Sequence, residues 1–327
     1  MKALAYDSAH PLNAFALTEV NVPEPVLRAG DLLVKVKAVG FNPVDTKVRS
    51  GRSGTEGKPV ILGWDASGVV MAKGVDVKGF EVGDEVYYAG DLMRDGSYAE
   101  RQAVDHRLVA KKPASLSFAE AAAVPLTALT AWEMLFEQFN LPKDEACDLL
   151  VIGGAGGVGS LAVQFAKALT KARVYSTSGR PESADWLKGL GVDGLLDRLK
   201  PLKEAGFGPF QYVFSTTHSH LYVDQLADIM APFGTFGLID DPKNFDINPL
   251  KRKSLKVAWE FMFTKSMFDY KPETQGRILA EVAELIDAGR IRTTLSKTFA
   301  GLTAENVRQA HDILESGEAV GKMVAIL

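Results

Sequence analysis

The sequence predicts an α/β protein with two domains, a small β-rich domain and a doubly wound parallel sheet. Its 327 residues are enough for two sizeable cores. Residues up to about Pro125 form short, partly alternating apolar segments that glycines separate, which is typical of antiparallel strands joined by turns. From about Leu126, strand-length apolar segments alternate with helix-length amphipathic ones, which indicates a parallel sheet with helices on both faces.

The β-rich domain is predicted from its strand candidates and its turns. The clearest strand candidates are Leu32–Val39, Val69–Ala72 and Glu85–Ala89. Glycines interrupt the pattern at turn spacing, namely Gly63, Gly68, Gly74, Gly79, Gly83 and Gly90. Many short strands with glycine turns are typical of a small antiparallel barrel.

The second domain begins with a predicted helix at Thr127–Phe139. Strands are predicted at Leu149–Gly153, Arg173–Ser178, Leu195–Asp197, Tyr212–Ser215, Thr235–Ile239 and Leu255–Met262. Helices are predicted between them at Gly157–Leu169, Glu182–Leu190 and His220–Met230. Two amphipathic helices ending at Gly289 and Gly317 follow, and the closing strand Lys322–Ile326 returns to the first domain. The predicted domains are therefore 1–125 with 264–327, and 126–263.

Composition excludes several classes of function. A net charge of −4 and a pI near 5.8 argue against nucleic acid or an anionic membrane as partner. The single cysteine, Cys147, excludes a disulfide within the chain and a cysteine-rich zinc site. No signal peptide and no apolar run of membrane-spanning length is apparent, so we expect a cytoplasmic protein.

A glycine-rich segment, Gly153–Gly159, is the most informative motif. It follows the predicted strand that ends at Ile152 and opens the predicted helix that begins at Gly157. Glycines permit a tight turn and a close approach of phosphate groups, which then face the free N–H groups of the helix start. This context predicts a dinucleotide site whose phosphate-binding residues are Gly153, Gly156, Gly157, Val158 and Gly159.

Five motifs in this order resemble the medium-chain dehydrogenase/reductase superfamily over essentially the whole chain. They are Gly40–Thr46, Gly63–Val70, Val82–Val86, Gly153–Gly159 and Gly321–Val324. Asn42–Asp45 with Arg49–Gly51 is similar to the zinc-independent quinone oxidoreductase branch, which includes the zeta-crystallin-like enzymes. Trp64-Asp65 and Trp259–Phe263 resemble a bacterial subgroup called zinc-type alcohol dehydrogenase-like. The resemblance implies a GroES-like β-barrel catalytic domain and a Rossmann domain.

Although the name of that subgroup mentions zinc, this chain lacks the residues that bind zinc in zinc-dependent relatives. Zinc-dependent relatives carry a cysteine in the first motif and a histidine–glutamate pair in the second, where this chain has Asn42 and Trp64-Asp65. An indole is no zinc ligand, and an amide is a poor one. The four-cysteine lobe of such relatives is also missing, and His218 and His220 are better explained as an exposed loop pair. We therefore predict that no metal is bound.

The end of the second strand of the nucleotide domain predicts NADPH as the cofactor. NAD-binding folds usually place an acidic residue there to hold the ribose 2′-hydroxyl. In this chain the end of the second strand and the residues after it include Ser176, Ser178 and Arg180 and no acidic residue. Arg198 follows the third strand. Hydroxyls leave room for a 2′-phosphate, and a guanidinium pairs with it. The alternative is that Arg180 is a solvated residue at the start of the next helix.

Further cofactor contacts are implied by the resemblance. Ser215, Thr216 and Thr217 are expected beside the adenosine ribose and the pyrophosphate. Leu238, Ile239 and Asp240 are expected to approach the nicotinamide. The other expected contacts are those of Asn42, Thr130 and Lys322. Asn42 before Pro43 also has the pattern of a helix N-cap, and the two roles are compatible.

The predicted reaction is hydride delivery from NADPH to a quinone or an α,β-unsaturated carbonyl compound. Without a metal, oxidation of an unactivated alcohol lacks its usual stabilisation of the alkoxide, whereas these electrophiles need much less help. Asn42 and Lys47 are the candidate catalytic residues, although a lone helical lysine is more often solvated. Trp64, Tyr88, Trp259 and Phe261 are candidates for an apolar substrate wall, with core packing as the alternative for each.

Two other functions stay open at this point. One is a non-catalytic NADPH-binding module with a sensor or structural role, and the other is an alcohol dehydrogenase-like enzyme. The expected partners are a small-molecule electrophile and a second copy of the chain. A homodimer is predicted because Leu255–Met262 has the pattern of an open sheet edge that can pair across a two-fold axis, and the alternative is a monomer whose edge is shielded by the following loop and by Lys251–Lys256.

Overall fold

The computed structural model describes residues 1–327, which divide into two compact units. Unit 1 comprises Met1–Leu129 and Phe263–Leu327, and unit 2 comprises Thr130–Met262. The borders predicted from the sequence, at 125/126 and 263/264, lie within a few residues of these positions. None of the helices combines the length and the apolar character that crossing a bilayer requires.

The first part of unit 1 is rich in strands, as predicted. These are β1 Lys2–Tyr6, β2 Thr18–Asn21, β3 Asp31–Gly40, β4 Val60–Ile61, β5 Ala66–Lys73, β6 Glu85–Tyr88, β7 Arg101–Asp105 and β8 Val109–Lys111. The α-helices are α1 Pro43–Gly51, α2 Phe118–Ala122 and α3 Pro125–Trp132, of which α3 crosses the border into unit 2 at Thr130. Helix α3 continues as a π-helical segment, and short 3-10 helices occur at Leu12–Ala14 and His106–Leu108. Strands β3, β5 and β6 confirm the three predicted strands.

Unit 2 alternates strands and helices as the sequence predicts. Its elements are β9 Asp148–Ile152, α4 Gly157–Leu169, β10 Arg173–Ser178, α5 Pro181–Gly189, β11 Gly194–Asp197, β12 Phe210–Ser215, α6 Val223–Ile229, β13 Met230–Leu238 and β14 Lys256–Trp259. Short 3-10 helices occur at Leu202–Ala205, Ser219–Leu221 and Asn248–Lys253. The six strands form a parallel sheet in the order β11-β10-β9-β12-β13-β14.

The last part of the chain completes unit 1. It contains α7 Thr264–Met267, α8 Glu273–Asp287, β15 Leu295–Ala300, α9 Ala304–Glu315 and β16 Lys322–Ile326. Strand β16 lies between β15 and β3, in a sheet ordered β15-β16-β3-β5-β6-β8 with β7 paired to β3. A separate small sheet has the order β2-β1-β4. The predicted return of the closing strand to the first domain is confirmed.

Three elements differ most from the sequence prediction. The sixth strand of unit 2, β14, covers only Lys256–Trp259 and not the predicted Leu255–Met262. Helix α6 begins at Val223 and not at His220, because His218 adopts a left-handed conformation and a 3-10 turn follows it. Strand β15 was not predicted, since most of its residues are exposed and it has no alternating apolar pattern.

The strand order of unit 2 fixes where a ligand site can form. Strand β9 is buried along its whole length, and β10 and β12 flank it. In a doubly wound sheet of this order, the strand sequence reverses between the first and fourth strands, here β9 and β12. Ligands bind in the crevice at the carboxyl ends of the strands at that point, which is where the glycine loop lies.

Candidate functional site

The glycine loop of unit 2, residues 153–159, packs closely against the ends of β10 and β12. Gly153 has a φ of +79°, and a Cβ there would lie 2.4 Å from Thr216 Oγ1. A Cβ on Gly154 would lie 2.1 Å from Ser176 Oγ, and one on Gly159 would lie 2.5 Å from the Cα of Gly154. The glycines at these three positions are therefore required by the fold of the loop itself.

Hydroxyl groups hold the loop in place, and most of these contacts were not predicted from the sequence. The N–H of Gly153 donates to Thr177 Oγ1 at 3.0 Å. Ser160 Oγ lies 3.3 Å from the carbonyl oxygens of Gly154 and Ala155, and it accepts from Trp186 Nε1 at 2.8 Å. A hydroxyl directly after the glycine run, on the first turn of α4, was the available signal for Ser160.

Gly156 differs from the other loop glycines because the space beside it is open. A Cβ at this position would meet only the carbonyl oxygen of Gly153, at 3.6 Å. Gly156 is the N-cap of α4, so the N–H groups of the first helical turn point out of the helix end beside that space. Open space next to a helix N-terminus is what a pyrophosphate requires. The loop therefore fits a dinucleotide.

The end of β10 contains no carboxylate between Arg173 and Arg180. Ser176 is buried and donates to the carbonyl of Val151 at 2.8 Å, which gives this hydroxyl a role inside the sheet. Ser178 donates to the carbonyl of Arg180 at 3.0 Å. Arg180 is the N-cap residue of α5.

Arg198 lies directly against the end of β10. Its Nε would be 2.3 Å from a Cβ built on Gly179, and its N–H donates to the carbonyl of Ser178 at 3.0 Å. A larger residue than glycine at position 179 would therefore displace the guanidinium. Since the 2′-position of a bound adenosine faces the end of the second strand, a cation at this position suits a 2′-phosphate.

The ends of β12 and β13 are tied to each other and to the loop. Thr216 Oγ1 donates to the carbonyl oxygens of Ile152 and Gly153, at 3.0 and 3.2 Å. The carboxylate of Asp240 accepts from the N–H of Ser219 at 2.8 Å and lies 2.5 Å from its hydroxyl. Ser219 Oγ is also 2.8 Å from the buried Ser215 Oγ. Asp240 thus fixes the segment after β12.

The other residues predicted to contact cofactor from unit 2 have different degrees of exposure. Leu238 is fully buried at the end of β13, Ile239 is half-buried, and Thr130 is buried on α3. Their contacts with a cofactor stay predictions.

A second set of predicted residues meets in unit 1, around the side chain of Lys322. We call Asn42, Asp65, Lys322 and the carbonyl of Phe41 the Lys322 cluster. Lys322 Nζ donates to Phe41 O at 2.7 Å, Asn42 Oδ1 at 2.6 Å and Asp65 Oδ2 at 3.0 Å. Asn42 Nδ2 donates to Asp65 Oδ2 at 2.8 Å. All three side chains are buried.

The hydrogen-bonding capacity of the Lys322 ammonium is fully used within the cluster. An ammonium has three N–H donors, and the structure gives each one an oxygen partner. The second oxygen of Asp65 accepts from the N–H of Leu126 at 2.7 Å, at the start of α3. The cluster therefore joins α1, α3, β16 and the segment before β5.

Asp45 is a further buried acid beside this cluster. Its Oδ2 accepts from the N–H of Asn42 at 2.7 Å and from Tyr98 OH at 3.2 Å, while its Oδ1 is buried without a partner. Burial raises the pKa of Asp45 to about 7, against the opposing effects of the Asn42 N–H and Lys322. Burial also raises the pKa of Asp65, and the Lys322 ammonium opposes that rise. The predicted N-cap role of Asn42 is confirmed, with Pro43 in the first helical turn.

The residues at this place do not fit a zinc ion. Three oxygen atoms converge here, and they already surround the cationic nitrogen of Lys322. No cysteine sulfur or histidine nitrogen, which are the usual zinc ligands, is among the converging atoms. No group of three histidine, cysteine, aspartate or glutamate side chains is arranged to hold a metal anywhere in residues 1–327. Because an ammonium and a divalent cation repel each other, zinc binding would require displacing Lys322.

The remaining predicted site residues lie in different environments. Lys47 is exposed on α1. Trp64 and Tyr88 are fully buried in unit 1, where Trp64 Nε1 donates to the carbonyl of Asp91 at 3.1 Å. Trp259 and Phe261, in unit 2, are 54% and 49% exposed. Burial favours the core-packing alternative for Trp64 and Tyr88, and the substrate-wall role of the four aromatics stays a prediction.

Both units contain segments that match known protein families. Residues 28–128 match the family described as alcohol dehydrogenase GroES-like domain, and residues 181–324 match the family described as zinc-binding dehydrogenase. The chain is 36% identical to a zinc-type alcohol dehydrogenase-like protein of Staphylococcus aureus, over 99% of both chains. It is 31% identical to the 2-methylene-furan-3-one reductase of Solanum lycopersicum, over 99% of this chain and 78% of that one.

Solved structures have the same fold. A candidate zinc-dependent alcohol dehydrogenase protein from Rhizobium etli is 45% identical with a TM-score of 0.95, covering 100% of this chain and 98% of that one. A quinone oxidoreductase from Coxiella burnetii is 27% identical with a TM-score of 0.83, covering 100% and 99%. A mycobacterial protein solved with NADPH is 26% identical with a TM-score of 0.85, covering 100% of both. The chain belongs to the medium-chain dehydrogenase/reductase superfamily of oxidoreductases.

Proposed function

We propose that the protein is an NADPH-dependent reductase of quinones or α,β-unsaturated carbonyl compounds that works without zinc. Two sites together carry the proposal, one at the glycine loop of unit 2 and one at the Lys322 cluster of unit 1. One is the glycine loop, which has open space beside Gly156, together with Arg198 and the absence of a carboxylate at the end of β10. The other is a lysine ammonium enclosed by the residues that stand at the metal-ligand positions of zinc-dependent relatives.

The names of related proteins support the same chemistry. The Solanum lycopersicum relative is named as a reductase of a methylene-furanone, and the Coxiella burnetii protein as a quinone oxidoreductase. Both names describe substrates with a conjugated carbonyl group. The mycobacterial structure contains NADPH.

The chain's contribution to this reaction is mainly positioning and electrostatics. NADPH, when bound, supplies the hydride, and a proton from solvent completes the two-electron reduction of the substrate. The first-turn N–H groups of α4 bind the pyrophosphate, and Arg198 binds the 2′-phosphate. The buried Lys322 cluster fixes α1 and the start of α3. The substrate is already electrophilic, so these roles need no Lewis acid.

NADPH consumption with a panel of quinones, enones and simple alcohols or ketones tests this function. Turnover of quinones or enones, with no reaction of unactivated alcohols, is the expected result. Tight NADPH binding without any turnover would instead support the non-catalytic module. Turnover limited to alcohols and simple ketones would support the alcohol dehydrogenase-like alternative.

We predict that the protein binds NADPH more tightly than NADH and that Arg180 and Arg198 contribute to the preference. Replacing either arginine by alanine should weaken NADPH binding about tenfold or more, since hydrogen bonds to charged groups contribute about 1.5–3 kcal/mol. NADH binding should change little. Lys188→Ala is the matched control, because Lys188 is an exposed cation on α5 that pairs with Asp185 at 3.2 Å. Equal affinities for the two cofactors in the native protein would contradict the assignment.

We predict that the purified, untagged protein contains no stoichiometric zinc and that chelators leave its activity intact. The physical reason is that Lys322 already places a positive charge among the converging oxygen atoms. Elemental analysis is the measurement. About one zinc per chain would show that the lysine is displaced and that the proposed mechanism is wrong.

We also predict a homodimer that forms through β14. This strand lies at the end of the sheet and pairs only with β13, so one row of its backbone groups is open. Trp259 is 54% exposed next to that row. Antiparallel pairing with a second copy across a two-fold axis would satisfy both strands.

The substitution Val257→Pro tests this edge. The N–H of Glu260 donates to Leu238 on β13, so by alternation the N–H of Val257 points away from β13. Proline at position 257 should therefore weaken the dimer and leave the sheet of each monomer intact. Ala258→Pro, which removes an N–H directed at β13, should destabilise the monomer too. A native protein that is monomeric at micromolar concentration in a solution mass measurement would refute the prediction.

A further inference from the structure

Arg49, near the carboxyl end of α1, is a buried cation with a fixed partner for each of its three side-chain nitrogens. Its exposure is only 1%. Nε donates to the carbonyl of His10 at 3.3 Å, Nη1 donates to His311 Nδ1 at 2.9 Å, and Nη2 pairs with Glu315. Because a guanidinium is planar, three such contacts hold it in one orientation. Arg49 therefore joins α1 to α9 and to the segment that follows β1.

His311 is present in the form that this contact requires. An arginine can only donate, so Nδ1 of His311 accepts and the proton of the neutral ring is on Nε2. Burial, with smaller effects of Arg49 and His10, lowers the pKa of His311 to about 3, so the ring is neutral at neutral pH. Nε2 is buried without a hydrogen-bond partner, which costs stability. An apolar side chain would avoid that cost, but it would not fix Arg49.

Helix α1 connects Arg49 to the Lys322 cluster. Asn42 is the N-cap of this helix, and Arg49 is in its last turn. Asn42 Oδ1 accepts from Lys322 Nζ at 2.6 Å. Lys322 is the first residue of β16, and only residues 316–321 separate β16 from α9. Both ends of α1 are therefore bound to the same part of the chain, one end to β16 and the other to α9.

The two attachments meet at Phe41. The ring of Phe41 lies edge-on to the ring of His311, with 6.5 Å between the centroids. The carbonyl of Phe41 accepts from Lys322 Nζ at 2.7 Å, and its N–H donates to the carbonyl of Met323 at 3.0 Å. A movement of α9 relative to α1 would therefore reach the residue that holds the Lys322 ammonium.

We propose that Arg49 is a positioning residue that keeps Asn42 and the Lys322 ammonium in the arrangement that the reaction uses. Its effect on turnover rests on the proposed reductase function. Arg49 bonds neither Asn42 nor Lys322 and acts through α1 and α9. The helix should persist without it, because Tyr6 OH still donates to the carbonyl of Val48 at 2.9 Å. What is lost is the fixed direction of α1 relative to α9.

The variant Arg49→Met tests the proposal with two measurements. The first is the rate at which an amine-acetylating reagent modifies Lys322, followed by mass spectrometry. In the native protein this ammonium is buried and its three donors are occupied, so it should react slowly. The variant should react about tenfold faster or more, because local opening exposes the amine.

The second measurement is turnover of quinones or enones. In Arg49→Met, kcat should fall about tenfold to 100-fold, since small displacements of positioned groups are costly. KM for NADPH should change little, because the proposed phosphate-binding residues lie in unit 2. Arg49→Lys, which keeps a cation and a donor, should recover part of kcat and part of the protection of Lys322.

Tyr87→Phe is the matched control for lost stability. Tyr87 is fully buried in unit 1 and donates to the carbonyl of Leu279 at 2.6 Å, a contact with α8 and not with α9. This variant should melt at a lower temperature, with native kcat and native labelling of Lys322. If Tyr87→Phe accelerated the labelling as much as Arg49→Met, Arg49 would contribute stability alone and the proposal would be wrong.

Glu315→Gln keeps the test decisive if Arg49→Met does not fold. Glu315 is 35% exposed, so the fold tolerates the loss of its charge. The labelling rate and kcat should change in the same directions by about two- to fivefold. Native labelling or a native kcat in the folded variant contradicts the proposal. If the native protein reduces neither quinones nor enones, the proposed function has failed, and the labelling rate still decides whether Arg49 positions Lys322.

Discussion

Replacing Lys322 by methionine should lower the free energy of unfolding by about 3–5 kcal/mol, because it leaves the buried Asp65 carboxylate without its cation. Methionine has a similar volume and creates little empty space. The double variant Lys322→Met, Asp65→Asn should recover part of the loss, since no uncompensated charge is then buried. Denaturant unfolding of the two variants and the native protein measures both effects.

The loss in Lys322→Met should depend on pH in a defined direction. Burial already raises the pKa of Asp65, and without the ammonium that pKa rises further. The folded variant then binds more protons than the unfolded chain above the ordinary carboxylate pKa of about 3.9. Its stability therefore falls as the pH rises, and the deficit relative to the native protein is smallest in acid.

Lys2→Met provides the control for this experiment. Lys2 pairs with Glu19 at 2.8 Å, but both side chains are exposed, so the substitution should hardly change the melting temperature. A loss in Lys322→Met no larger than the loss in Lys2→Met would show that the cluster is not a buried ion pair in solution.

Replacing Gly156 by valine should weaken NADPH binding about 100-fold or more, equivalent to losing one or two hydrogen bonds to a charged group at 1.5–3 kcal/mol each. The added side chain would fill the open space where the pyrophosphate is expected. The backbone at Gly156, with φ −72° and ψ 174°, accepts valine without strain. Thermal unfolding should therefore show a small change, while fluorescence titration with NADPH shows the large one.

Substitutions at two other glycines are controls that distinguish a blocked phosphate site from a destabilised fold. Gly51, at the end of α1, also has open space around it, so Gly51→Val should leave cofactor affinity unchanged. Gly159→Ala should reduce both affinity and stability, because its Cβ would lie 2.5 Å from the Cα of Gly154. If Gly156→Val bound NADPH like the native protein, the phosphate site would have to lie elsewhere.

The sequence was sufficient to predict the elements that depend on local pattern. Helix α4 and strands β10 and β16 begin and end at the predicted residues. The strand, turn and helix around Gly153–Gly159 were predicted correctly because the three are adjacent in the chain. The family was predicted from five motifs, and the relatives confirm it.

Features that depend on residues far apart in the chain were not predicted. Lys322 meets Asp65 across 257 positions, and no periodicity connects the two. The hydrogen bonds between Ser219 and the carboxylate of Asp240 join residues 21 positions apart, and no motif indicated them, while the approach of Asp240 to the nicotinamide stays a prediction. The exposed strand β15 is held by its pairing with β16, which is a tertiary contact and leaves no apolar signature.

The division of the chain has a consequence for the order of folding during synthesis. Unit 2 is one continuous segment, so its six strands are all available once residue 262 has left the ribosome. Unit 1 must wait, because β16 is an interior strand of its sheet and also carries the lysine of the buried cluster. Until then, the edge of β3 that β16 will cover is open, and Asp65 has no cation. A nascent chain halted before Lys322 should therefore contain a protease-resistant nucleotide domain beside a protease-sensitive, incomplete barrel.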